Sequence, residues 1–83
     1  MTKTEINKRI IAEARGKIKA LGLEGKLDIF PVANAFTHRP LYWMHGNTAL
    51  FKVLMWTIND LDPNEISAEM DDRISAARQH FKI

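Results

Sequence analysis

Cysteine is absent from the 83 residues, which removes disulfide frameworks, thiolate nucleophiles and every cysteine-containing zinc site. A reducing compartment fits that absence. Charge of one sign is also scarce. Twelve Lys and Arg oppose ten Asp and Glu for a net +2, too little to imply a polyanionic partner by itself. Long hydrophobic runs are missing as well. The most apolar stretch, 41–58, is broken by His45, Asn47 and Lys52, whereas a spanning helix needs about 20 mostly apolar residues. The first residues, Met-Thr-Lys-Thr-Glu-Ile-Asn-Lys-Arg, carry charge where a secretory leader needs an apolar core of roughly 7–15 residues. A cytoplasmic protein with no membrane contact is expected. Glycine and proline number only four and three, and neither repeats nor flexible linkers stand out, so 1–83 is read as one domain.

What is present is apolar periodicity. Thr2 and Glu5 have capping-box spacing. After them Ile6, Ile10, Ile11, Ala14, Ile18 and Leu21 recur every three or four residues, predicting a helix over 3–21. Gly22, followed by Leu23, suits a Schellman ending. From 23 to 40 the pattern weakens. Pro31 followed by Val32, Ala33, Ala35 and Phe36 permits a short helix over 31–37. The alternation of Leu27, Ile29 and Pro31 permits a strand over 26–32 instead, with no clear partner strand elsewhere. Pro40 marks a boundary, with one turn over 41–45 before Gly46 and Asn47.

Residues 48–61 are mostly apolar, and a helical wheel gathers Leu50, Phe51, Val53, Leu54, Ile58 and Leu61 on one broad face. This segment reads as a central helix. Asp62-Pro63-Asn64-Glu65 forms a second capping box, opening a helix over 63–81 whose apolar positions are Ile66, Met70, Ile74, Ala77 and Phe81. The sum is an all-α fold, a small compact bundle of three or four helices.

On that wheel Met55 and Trp56 stand beside the polar stripe of Lys52, Asn59 and Asp60, pointing away from the main core. Either another helix of the chain covers them or a partner does, because Trp and Met are enriched at buried interfaces. The stretch His38 to His45 concentrates aromatic and basic groups, and Tyr42, Trp43 and His45 join Met55 and Trp56 as candidate partner-binding residues. The alternative for that stretch is a connection whose Leu41, Trp43 and Met44 cover the core. A homodimer is the favoured form, since so short a chain buries a small share of its surface.

A different function class rests on charge. Lys8, Arg9, Arg15, Lys17 and Lys19 can line the first helix and contact phosphates, with Arg39 added from the aromatic stretch. Against this stands an ordinary solvated face, or docking of the basic helix on the acidic last helix. The three histidines, His38, His45 and His80, lack helical-pair spacing and an intervening acid, so no metal site is expected. Neither a nucleophile elbow nor a glycine-rich phosphate loop occurs, and the acids gather on the outside of an amphipathic helix. The expectation is therefore a non-enzymatic adaptor or inhibitor-like module without cofactor or small-molecule substrate. It binds a protein partner, and a small nucleic-acid-binding regulator is the alternative.

Overall fold

The computed structural model describes residues 3–31, 39–46, 50–58 and 61–83. Helix α1 (Lys3–Ala20) leads into three strands, β1 (Leu27–Pro31), β2 (Arg39–His45) and β3 (Lys52–Ile58), and a 3-10 turn at Pro63–Glu65 opens helix α2 (Ile66–Phe81). The strands form one antiparallel meander in the order β1-β2-β3. The architecture is therefore α+β, with two helices and a sheet, which overturns the all-α bundle expected from periodicity.

Both long helices lie where their apolar stripes predict. Ile10, Ala14 and Ile18 of α1 are buried, while Leu21 at its end is 52% exposed. Gly22 takes φ +71°, the Gly22 N–H donates to Lys19 O and the Leu23 N–H to Ile18 O, both at 3.0 Å. This is the expected Schellman ending, with Leu23 and Ile18 both in the core. Of the first capping box, Thr2 lies outside the described residues. In the second, the Asp62 carboxylate accepts from the Asn64 N–H at 2.9 Å, and Pro63 occupies the first turn. The buried residues of α2 are Ile66, Met70, Ile74, Ala77 and Phe81, the stripe its spacing predicts. Lys17 ties the helices together, its Nζ lying 2.8 Å from Asp71 and 3.8 Å from Glu13.

The middle of the chain is where helical readings fail. The strand permitted over 26–32 is found as β1 across Leu27–Pro31, with Leu27 and Ile29 buried, and Val32 lies outside the described residues. The helix considered for 31–37 falls almost wholly on residues outside those described, and its first residue, Pro31, ends β1. The single turn over 41–45 is instead strand β2, the partner that β1 needed. Asp28 stands opposite Met44, Ile29 opposite Trp43 and Phe30 opposite Tyr42.

The expected central helix over 48–61 is strand β3 across Lys52–Ile58, paired with β2 so that Leu41 faces Trp56, Tyr42 faces Met55 and Trp43 faces Leu54. An apolar run fits either period, and β-branched and aromatic residues such as Val53, Trp56, Thr57 and Ile58 favour the pleated one.

Alternation along each strand sends successive side chains to opposite faces. Leu27, Ile29, Leu41, Trp43, Trp56 and Ile58 point to the helices and share one core with Ile10, Ala14, Met70, Ile74 and Phe81. Trp43 and Trp56 stack there, with ring centroids 6.5 Å apart and planes at 26°. The Arg73 guanidinium lies 4.8 Å from the Trp56 ring centroid, held by Glu69 at 2.9 Å. Among the described residues no helix is long and apolar enough to cross a membrane.

Candidate functional site

Pleating leaves the second face of the sheet to Asp28 and Phe30 from β1, Tyr42 and Met44 from β2, and Val53, Met55 and Thr57 from β3. Both helices pack on the other side, and among the described residues no element covers this one. A sheet with one solvated face ordinarily alternates apolar and polar residues. Here five of these seven outward positions are aromatic or apolar, Phe30, Tyr42, Met44, Val53 and Met55, against Asp28 and Thr57. Met55 is 56% exposed and Val53 43%, and Phe30, Tyr42 and Met44 are half-buried. Phe30 and Tyr42 stack at 6.1 Å. Leu50 and Phe51, just before β3, are exposed too. A contiguous exposed apolar surface of this kind is the usual mark of an association site.

The face has a basic border. Arg15 leaves α1 and curls round the edge of β1, with its guanidinium 5.4 Å from the Phe30 ring centroid and its Nε donating to the Asp28 carboxylate at 2.9 Å. Beside it runs an open groove of about 500 Å³, whose lining includes Lys19, Lys26, Phe30 and Met44. Glu24 also reaches this groove, but Lys19 and Lys26 are exposed and form no ion pair with a described residue. Apolar floor and cationic rim thus adjoin at the β1 end.

The five residues singled out for partner binding divide. Tyr42 and Met55 lie directly opposite one another on the uncovered face. Trp43 and Trp56 do not reach a surface, being 1% and 8% exposed. The wheel position of Trp56, away from the core, is corrected by the strand period, which puts it and Met55 on opposite faces. His45 is on the helix side. Its Nδ1 donates to Lys26 O at 2.6 Å, and its ring lies 5.4 Å from Phe81. Because a carbonyl can only accept, Nδ1 carries the proton. Phe30, Met44 and Val53 were not singled out; β1–β2 pairing would have flagged Phe30 and Met44, and β2–β3 pairing Val53.

Of the basic residues considered for phosphate contact, Lys8 and Lys19 are exposed. Arg15 is committed to Asp28, and Lys17 to Asp71 and Glu13. Docking of the basic helix against the acidic one thus occurs within the chain, through Lys17 and Asp71. The side chain of Arg39 is outside the described residues, and Arg9 takes part in an interaction of its own. No group of three or more potential metal ligands gathers among the described residues, and His38 is not among them.

The site therefore defines an α+β protein with an apolar sheet face and a basic rim. Comparison of the chain with protein-family models, with curated proteins and with solved structures finds no match.

Proposed function

We propose that this protein is a non-enzymatic adaptor or inhibitor-like module that docks a protein partner on its uncovered sheet face. The observation that carries the reading is the register of Phe30, Tyr42 and Met55, one row of large side chains running across all three strands with no layer above it among the described residues. Such a row gains from burial at about 25 cal/mol per Å² of apolar surface, and its aromatic and methionine content is that of interface centres. The partner presents an apolar patch bordered by acidic side chains, because the groove next to Phe30 and Met44 has Lys19 and Lys26 on its rim. Charges placed at a rim act chiefly on the rate of encounter and on its salt dependence.

The test is affinity capture from the native host with three baits: the unaltered chain, Met55→Glu, and the double variant Lys19→Glu with Lys26→Glu. A protein retained by the first, lost with the second and retained only weakly at low salt by the third supports the reading. A capture profile indifferent to Met55→Glu overturns it, as does material released by nuclease, which belongs to a nucleic-acid-binding regulator.

A further inference from the structure

The two edges of the sheet are not alike. Ile29 lies in the middle of the outer edge of β1, and both of its backbone groups are occupied from outside the sheet. Its N–H donates to the Asp28 carboxylate at 2.7 Å, and its carbonyl accepts from Arg15 Nη2 at 3.1 Å. An edge so capped offers no template to another strand.

The geometry of β1 also fixes the opposite edge. In an antiparallel ladder the backbone groups of successive residues turn alternately to the two sides of a strand. Since Ile29 points off the sheet, its partner Trp43 points to β3, where it meets Leu54. The N–H and C=O groups of Val53, Met55 and Thr57 therefore project from the far edge. No described strand pairs with that edge. Of the devices that guard exposed edges, namely a proline, a bulge or charged side chains, β3 carries only Lys52 at its first position, and none lies between Val53 and Ile58.

We propose that β3 pairs antiparallel with β3 of a second copy of this chain, joining two three-stranded sheets into one of six. Centring the two-fold axis on Met55 is the register that pairs all three outward residues, Met55 with Met55 and Val53 with Thr57. It leaves no like charges opposed. The sole charged residue of the strand, Lys52, falls opposite Ile58 of the other copy, and the two lysines stand about 20 Å apart along the strand direction. The row Phe30, Tyr42, Met55 continues into Met55, Tyr42, Phe30 of the second copy, so the uncovered face doubles in length. With one edge capped and one open, pairing closes at two chains instead of propagating. The inference concerns the edge and stands whether or not the face binds a partner.

Amide exchange of the unaltered chain, followed residue by residue at about 10 and about 500 µM, reads this directly, because mass action favours pairing at the higher concentration. The amides of Val53, Met55 and Thr57 are expected to slow by about tenfold or more, while those of Leu54 and Trp56 are protected at both concentrations. A second measurement uses the absence of native cysteine. Met55→Cys places its Cα roughly 5.5 Å from its copy, within disulfide reach, and should cross-link on mild oxidation. Tyr42→Cys, about 15 Å from its copy across three strand spacings, should not. A chain monomeric at both concentrations overturns the proposal. So does a dimer in which the three amides exchange unchanged, or equal cross-linking of the two variants.

Discussion

Arg15 and Asp28 meet at 2.9 Å on the rim of β1, and together they seal that edge: the carboxylate holds the Ile29 N–H while the second guanidinium nitrogen holds the Ile29 carbonyl. Both side chains are close to half exposed, so the ion pair itself is worth little. Its consequence lies in what it keeps out. Arg15→Ala is expected to cost only about 1 kcal/mol of stability in urea denaturation, yet to uncap a second edge. Light scattering should then show assembly beyond two chains that grows with concentration. An Arg15→Ala protein confined to the wild-type species would separate edge capping from assembly control.

Trp56 is a core residue and should behave as one. It is packed between Trp43 and Arg73, so Trp56→Ala removes a buried ring at a cost of about 3–5 kcal/mol. That is a large share of the stability of any small domain. Thermal or denaturant melts should show a markedly lowered midpoint, or no folded baseline at all. A folded variant whose only change is its oligomeric state would return Trp56 to the surface.

Two glycines make opposite demands. Gly16 is in the interior of α1 with no atom within 4 Å of an added Cβ, so Gly16→Ala should raise stability by about 0.5–1 kcal/mol through helix propensity and lost unfolded-state freedom. Gly46, following β2, has φ +109°, and a Cβ there would come 2.7 Å from the Leu50 carbonyl oxygen. Gly46→Ala should therefore destabilise by about 2 kcal/mol or more. Paired melts of the two variants decide this by the sign of each change.

On the uncovered face stability and binding should come apart. Met55→Glu alters a side chain 56% exposed, and surface changes of that kind usually fall within about 0.5 kcal/mol. At a concentration that keeps the chain monomeric, its melt should nearly overlay that of the unaltered chain while capture of the partner is lost. A large drop in melting temperature would mean that Met55 is covered after all.

The helices were legible in the sequence because each is polar on one side. Ile66, Met70, Ile74, Ala77 and Phe81 step at helical spacing between charged neighbours, and the Gly22-Leu23 pair announces its own hydrogen bonds. Strand β3 was illegible for a physical reason. A strand with a solvated polar face betrays itself by alternation, whereas here Val53 and Met55 are as apolar as Leu54 and Trp56. Period two and period 3.6 then fit the same letters. The feature that disguised the strand as a helix is the feature that marks the candidate site. With β3 misread, β2 lost its partner and β1 appeared to have none. Tyr42 and Met55 were nonetheless singled out, Tyr42 by its place in the aromatic and basic stretch and Met55 by a helical wheel whose period the strand does not keep. Their direct opposition across two strands, and the membership of Phe30 and Met44 in the same face, depend on a register that local spacing does not encode.

Methionine oxidation offers the most direct check of the account, in which Met55 faces solvent while the next residue is core. Dilute peroxide acting on the folded monomer, followed by peptide mass spectrometry, should oxidise Met55 rapidly, Met44 at an intermediate rate and Met70, which is fully buried, only on unfolding. Met55 protected to the same degree as Met70 in the isolated chain would contradict the uncovered face and the proposed function together.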